Sequence, residues 1–244
     1  MHNILIVTRR EWLAYFHTPI APLYLIIFLV LSTALAFYLG GFYEREIADL
    51  EPFFQFHPWI YLFLVPAIGM RLWSEEYRSG SAELLLTLPL STWEVVLGKY
   101  LAALGLIGLG LALSFPIWIT VNVLGDPDNG VIVGAYLGSW LMAGGFLAIS
   151  AAASAATSNQ VVAFIASSSI CFVFLMAGMP LVLDPIGQVL PQGIVDVISQ
   201  ASFLIHYSAM ARGMLDLKSG VYFVGLILLM LISNWALIEV RKAP

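Results

Sequence analysis

The sequence from residue 131 to residue 156, VIVGAYLGSWLMAGGFLAISAAASAA, contains no charged side chain. A helix rises about 1.5 Å per residue and the hydrocarbon core of a bilayer is about 30 Å thick, so about 20 such residues are enough to cross it. A run of this length without a charge therefore predicts a transmembrane helix.

The rest of the chain has the same character. It is 61% hydrophobic and 10% charged over 244 residues, whereas a soluble domain is about 45–50% apolar and about 25% charged. Apolar runs lie at approximately 20–41, 58–72, 98–124, 131–156, 161–183 and 219–238. We therefore predict a single all-α integral membrane domain over residues 1–244 with six transmembrane helices. Pro116 should kink the third of them, because it removes a backbone donor.

Lysine and arginine residues predict the orientation of these helices. With the N-terminus inside, the cytoplasmic set is Arg9, Arg10, Arg71, Arg78, Lys99, Arg241 and Lys242. The outer set is Arg45, Arg212 and Lys218. Basic residues in short loops favour the cytoplasmic side of a membrane, so both termini are expected in the cytoplasm.

The segment before the first span has an amphipathic pattern. Residues 3–17 place apolar side chains at helical spacing and bring Arg9, Arg10 and Trp12 close together in the sequence. This pattern predicts a helix that lies in the cytoplasmic interface and contacts membrane lipids. An ordinary cytoplasmic leader is the alternative.

The first span also has a feature of a secretory signal. Ala34-Leu35-Ala36 has the small-residue pattern of a cleavage site. The apolar run nevertheless begins with two prolines and continues past residue 36 to Phe42. We therefore expect an uncleaved transmembrane helix.

Small residues form a stripe along the fourth span. Gly134 and Gly138 are a GxxxG pair, and Gly144 and Ala148 continue the stripe. Such residues let helix backbones approach closely in a membrane. We expect the stripe to pack against another helix of the same chain, with a dimer interface as the alternative.

Two outer regions have less regular patterns. The stretch 184–218 is too long for a turn and predicts short re-entrant helices, which need protein around their backbone. Aromatic residues near the second span indicate an interfacial belt, or alternatively the lining of an outer vestibule. They are Phe53, Phe54, Phe56, Trp59, Tyr61 and Phe63.

The sequence offers no set of residues for catalysis or for a metal site. Asp126-Pro127-Asp128 is interpreted as a tight turn, since Asn and Gly follow. No span has Asp, Glu, Lys or Arg at its centre, as proton-driven transporters require. The chain also lacks a G-x-x-x-x-G-K-[ST] phosphate-binding loop. We expect neither an enzyme nor a nucleic-acid-binding protein, and no cofactor within this chain.

The segment 73–90, between the second and third spans, carries most of the polar residues that could meet a partner. Its polar and turn-forming positions include Glu75, Glu76, Arg78, Gly80, Ser81 and Glu83. A short helix at the membrane surface could fit a groove in a neighbouring protein. The alternative is an interfacial loop held by its leucines.

Capping signals divide this segment into helices. Gly80 can end the preceding helix, and Ser81 is a candidate N-cap for a helix at 82–88 that Pro89 ends. Ser91 and Glu94 have the spacing of a capping box, which predicts the start of the next membrane helix.

The run Met70-Arg-Leu-Trp-x-Glu-Glu-x-Arg-x-Gly-Ser-x-Glu-Leu-Leu-Leu-Thr-Leu-Pro, followed by Val-Leu-Gly-Lys99, resembles the signature of ABC-2-type permeases. It is most similar to the branch named for gliding-motility and copper-enzyme-maturation exporters, although Ser81 stands where that branch usually has Thr. The similarity extends to residues 18–22 and 206–223, so it covers essentially the whole chain.

This resemblance implies a permease subunit of an ATP-driven exporter in the bacterial cytoplasmic membrane. Two permeases, identical or paralogous, would pair with two ABC ATPase subunits, which bind the ATP and Mg. In this branch a membrane-anchored extracytoplasmic accessory protein is often present. The residues from Glu75 to Glu83 would form the coupling helix that docks on the ATPase.

Charge reversal at Glu76 or Arg78 is accordingly expected to uncouple the ATPase without unfolding the chain. The uncharged spans favour an amphipathic or lipid-like substrate over a small ion. A membrane anchor that recruits a cytosolic protein without transport is the main alternative, and a polytopic membrane enzyme is a second.

Overall fold

The computed structural model describes residues 2–82, 89–214 and 216–242, and every regular element within these ranges is a helix. The α-helices are α1 His2–His17, α2 Ile20–Ala34, α3 Glu51–Phe54, α4 His57–Gly69, α5 Arg71–Ser79, α6 Thr92–Leu113, α7 Phe115–Leu124, α8 Asn129–Ala156, α9 Gln160–Met176, α10 Pro180–Gly187, α11 Gln192–Gln200, α12 Phe203–Ala211 and α13 Leu217–Lys242. A π-helical turn, Leu35–Leu39, continues α2.

Five helical stretches are long and apolar enough to cross a membrane. They are Ile20–Leu39, Glu51–Ser79, Thr92–Leu124, Asn129–Ala156 and Leu217–Lys242. Two bent helix pairs, α9 with α10 at 69° and α11 with α12 at 60°, would raise the number of spans to seven if each crossed. The predicted all-α membrane protein is confirmed, and the predicted six spans fall within this range.

Local sequence signals explain several helix boundaries. The third span is interrupted between α6 and α7 at Ser114, two residues before Pro116. The capping box at the start of α6 is present, since the Ser91 hydroxyl accepts from the Glu94 N–H and the Glu94 carboxylate accepts from the Ser91 N–H. After α9, Pro180 occupies the first position of α10, where a missing N–H costs nothing.

Helix α8 lies at the centre of the bundle and packs against α4, α6, α9, α12 and α13. Its small residues make this packing close. A Cβ atom at Gly138 would lie 2.8 Å from the Met210 Cβ, and one at Gly144 would lie 3.1 Å from the Ile227 Cδ1. Gly134 is buried and Ala148 is fully buried. The small-residue stripe therefore faces other helices of the same chain.

The aromatic residues around the second span need a correction. Phe53, Phe54 and Tyr61 are at most 2% exposed, so an interfacial belt is the wrong interpretation for them. Their rings surround the buried His57, whose Nδ1 lies 2.8 Å from the Ser139 hydroxyl. These residues form the packed contact between α3–α4 and α8. His57 is shielded from water and needs a hydrogen-bond partner within the protein, and Ser139 of α8 supplies it.

The N-terminal helix α1 runs alongside the first half of α6 in the same direction. Val7 lies on Gly98, where an added Cβ would be 2.6 Å from the Val7 Cγ1, and Trp12 lies on Gly105. At the start of both helices the Asn3 side chain donates to the Glu94 carboxylate at 3.2 Å. The amphipathic helix is therefore fixed lengthwise on the start of the third span.

Substituting Gly98 with Ala tests this docking. The added methyl would collide with Val7, and such overpacking costs about 1–3 kcal/mol, which outweighs the gain of about 1 kcal/mol in helix propensity. We expect the thermal unfolding midpoint of the purified protein to fall. Gly225→Ala is the matched control, since nothing lies within 4 Å of a Cβ at that position. Equal midpoints for both variants would contradict the docking of α1 on α6.

Candidate functional site

The predicted coupling segment leaves the bundle at the end that carries both described chain ends, which we call the lower end. Here the Lys242 ammonium donates to the Thr92 hydroxyl at the start of α6, and the Arg241 guanidinium donates to the Ala156 carbonyl at the end of α8. The Arg241 guanidinium also stacks 4.6 Å above the Tyr77 ring of α5. The ends of α5, α6, α8 and α13 therefore meet in one place.

A single serine attaches α5 to the central helix. The Ser154 hydroxyl accepts from the Trp73 and Ser74 N–H groups, each at 3.0 Å, and donates to the Met70 carbonyl at 2.7 Å. These backbone groups lie at the joint between α4 and α5, where the regular helical bonds are interrupted. Because Trp73 is also fully buried, α5 is held in one orientation relative to α8.

Helix α5 ends where the sequence predicts. Gly80 has a φ of +74° and terminates the helix in the left-handed conformation, which glycine adopts without steric cost. Arg78, Ser79, Gly80 and Ser81 are all exposed, and no atom lies within 4 Å of a Cβ at Gly80. The predicted coupling residue Glu83, and most of the predicted helix at 82–88, lie outside the described residues.

A buried lysine is the centre of an ion cluster that comprises Arg10, Glu11, Glu76 and Lys99. The Lys99 side chain is 3% exposed, and its ammonium lies 2.6 Å from the Glu76 carboxylate and 3.4 Å from that of Glu11. It also lies 5.3 Å from the centre of the Trp73 ring. The cluster therefore joins α1, α5 and α6.

Arginine residues complete the charge balance around this cluster. Arg10 donates to the Glu11 carboxylate and lies 4.0 Å from that of Glu76. Within α5, Arg71 binds Glu75 through two hydrogen bonds of 2.6 and 2.8 Å. Such bidentate pairs fix both side chains. Beside these groups lies a cavity of about 240 Å³ lined in part by Glu11, Glu75 and Lys99.

The structure thus divides the five predicted coupling residues that it describes into two groups. Glu75 and Glu76 bind partners within the chain, whereas Arg78, Gly80 and Ser81 are exposed. Among the residues predicted for the interfacial helix, Arg10 belongs to the ion cluster, Trp12 packs on α6, and Arg9 is exposed.

The expectation for charge reversal at Glu76 changes as a result. A reversed side chain there would face Lys99 across 2.6 Å, so it would disturb the fold as well as any docking. The central role of Lys99 was not predicted from the sequence, where it was only counted among the cytoplasmic basic residues. The available signal is a lysine at the start of the long apolar run of the third span, because a lysine that becomes buried there needs a carboxylate partner.

Lys99→Gln tests the contribution of the ion cluster to stability. Removing the ammonium leaves the Glu11 and Glu76 carboxylates with Arg10 as their remaining basic partner in the cluster, and breaking a buried pair in this way costs about 3–5 kcal/mol. We expect a large loss in the free energy of unfolding, with partial recovery in the double variant Lys99→Gln, Glu76→Gln. Lys218→Gln, at an exposed lysine, is the control. No loss in Lys99→Gln would show that the cluster does not stabilise the fold.

Acidification tests the same cluster through Glu11. Burial opposes ionisation of this carboxyl group, but the nearby Lys99 and Arg10 outweigh burial and hold its pKa below the usual 4.5. A carboxyl group with a lowered folded-state pKa stabilises the protein above pH 4.5, and this stability is lost as the pH falls through the folded-state pKa. Unfolding measured between pH 6 and pH 3 should therefore show a smaller loss in Glu11→Gln than in the unmodified chain. Identical pH profiles would contradict this role of Glu11.

Comparison with known proteins and protein families identifies the family of this chain. No curated protein matches the chain. The family model described as ABC-2 family transporter protein matches residues 23–238, a range that includes most of α2, all of α3 to α12 and most of α13. The match therefore contains α5, the exposed turn after it, and every charged residue of the ion cluster except those on α1. Over nearly its full length, this chain belongs to the ABC-2 family of transporter proteins.

Proposed function

We propose that this permease subunit receives the force of a separate ABC ATPase through the exposed turn Arg78–Ser81 and transmits it along α5 into the bundle. The observation that carries this proposal is the contrast between the two ends of α5. Its first turn is bound to α8 through Ser154, whereas its last residues are exposed beside an open glycine turn.

Transmission requires that α5 moves together with its neighbours. The ion cluster joins α5 to α1 and α6 through Glu76, Glu11 and Lys99. Packed elements of this kind move as rigid bodies, because closely packed interiors resist continuous deformation. A push on the exposed turn would therefore displace α1, α6 and α8 together, which is the motion that alternating access needs.

The resemblance supports a more detailed assembly. We infer a complex in the bacterial cytoplasmic membrane with two ATPase subunits that bind ATP and Mg, and with a second permease copy or a paralogue. The gliding-motility and copper-enzyme-maturation branch, with its extracytoplasmic accessory protein, is supported by the run from Met70 to Pro89. The bias of basic residues supports termini in the cytoplasm.

The substrate class that we propose is amphipathic or lipid-like. It is supported by predicted spans without a charge at their centres, since proton coupling or the passage of a small ion would require ionisable groups at membrane depth. The second candidate is a membrane anchor that recruits the ATPase without transport. Substrate-stimulated ATP hydrolysis in proteoliposomes separates the two, because only a transporter couples hydrolysis to cargo.

Arg78→Glu tests the docking role. Reversing an exposed charge at an interface should weaken binding of the cognate ATPase about tenfold, equivalent to ~1.4 kcal/mol, and should lower permease-stimulated ATP hydrolysis. The fold should be unaffected, because Arg78 forms no hydrogen bond or ion pair among the described residues.

Lys218→Glu is the matched control for this experiment. It also reverses an exposed charge, but Lys218 lies at the start of α13, away from the lower end where Arg78 is located. It should leave both ATPase binding and hydrolysis unchanged. If Arg78→Glu assembles with the ATPase and stimulates it normally, the exposed turn is not the coupling element.

A further inference from the structure

The end of the bundle away from the chain termini, which we call the upper end, contains a cleft of about 720 Å³. It lies between the start of α3 and α4, the start of α8, the turn between α9 and α10, and helix α12. Small-molecule sites have volumes of about 300–1,000 Å³, so the cleft is large enough for a ligand of several hundred daltons.

Close backbone contacts hold the walls of the cleft in place. Gly178 lies directly against Ser202, which brings the α9–α10 turn to the start of α12. At the other end of α12, Gly213 has a φ of +79° and lies against Val131 of α8. Across the cleft the Tyr207 hydroxyl donates to the Phe54 carbonyl at 2.7 Å. The walls are therefore fixed before any ligand arrives.

The lining divides into an apolar floor and a charged rim. The floor includes Phe54, Ile132, Ala135, Leu204 and Tyr207. The rim carries three carboxylates and one guanidinium, on Asp49, Glu51, Asp128 and Arg212. An apolar floor below a polar rim matches an amphipathic ligand, whose apolar part is buried while its head group stays near water.

One rim carboxylate is available to a ligand. Arg45 binds Glu51 at 2.6 Å and lies 3.8 Å from Asp49, so these two acids already have a basic partner. Asp128 caps α8 with one oxygen, which accepts from the Gly130 N–H at 2.9 Å. Its second oxygen has no hydrogen bond or ion pair within the described ranges.

The wider upper end has the same sign of charge. The chain segments there contain nine acidic and three basic residues. The acidic residues are Glu44, Glu46, Asp49, Glu51, Asp126, Asp128, Asp184, Asp196 and Asp216, and the basic ones are Arg45, Arg212 and Lys218. An excess of negative charge around a cleft raises the local concentration of cations.

We propose that the upper cleft binds an amphipathic cation, with its protonated amine at the second oxygen of Asp128 and its alkyl or aromatic part on the floor. This assignment deepens the proposed export function. The interpretation of the cleft as a binding site for cargo near its exit rests on that function. Binding itself needs neither ATP nor the ATPase.

Photolabelling of the purified full chain tests the proposal. The probe is dodecylamine with a diazirine in its alkyl chain, and its partner probe is the corresponding dodecanoate. We expect the amine to label peptides containing residues 127–135 and 204–212, the dodecanoate to label them several-fold less, and excess unlabelled dodecylamine to block the reaction.

Two variants locate the head group and the apolar part. Asp128→Asn keeps a residue suited to the N-cap and should lower amine labelling about threefold, as expected for one partly exposed ion pair. Asp126→Asn is the matched control, since Asp126 is an exposed acid in the same turn that does not line the cleft. Ala211→Trp should lower labelling by both probes, because it fills the cleft.

Equal labelling by the amine and the dodecanoate would overturn the proposal, as would equal effects of Asp128→Asn and Asp126→Asn. Labelling spread over the exposed faces of α2 and α13 instead of the cleft would also overturn it. None of these results would bear on docking of the ATPase, so failure of the cleft proposal can be distinguished from failure of the proposed function.

Discussion

The lower end of this permease depends on one buried ammonium group. Lys99 follows Gly98, where α1 packs so closely that only glycine fits. The Lys99 side chain is almost inaccessible to solvent. A buried charge is tolerated only with compensating partners, and those partners are supplied by α1 and α5. The need to neutralise Lys99 therefore brings together α1, α5 and α6. Among the described residues, no other ion cluster joins these three helices.

Helix α8 relates this lower junction to the upper cleft. Its 28 residues correspond to about 42 Å, and it carries Asp128 at one end and Ser154 near the other. Asp128 lies on the rim of the cleft, whereas Ser154 binds the joint before α5. A displacement of α5 would therefore reach the cleft through a single rigid element, which links the proposed docking site physically to the proposed ligand site.

Close packing explains why α8 can serve in this way. In a bilayer no hydrophobic effect drives helices together, so association depends on van der Waals contact and internal hydrogen bonds. The glycines of α8 allow Met210 and Ile227 to approach its backbone, and its serines bind His57 and the α4–α5 joint. The central helix is thus fixed by small residues and hydroxyl groups as well as by buried apolar side chains such as Met142, Phe146 and Leu147.

The sequence by itself determined the membrane class, the main helices, the glycine end of α5 and the capping box of α6, because these follow from hydropathy and from interactions within a few residues. It also identified the small residues of α8, but not the helices that they contact. Only the tertiary structure decided that Glu76 faces inward while Arg78 faces outward, that Phe53, Phe54 and Tyr61 form core, and that α12 closes a cleft over α8. These outcomes depend on pairings such as Glu76 with Lys99 and Tyr207 with Phe54. The partners lie 23 and 153 positions apart, and such distant contacts arise from helix packing rather than from local pattern.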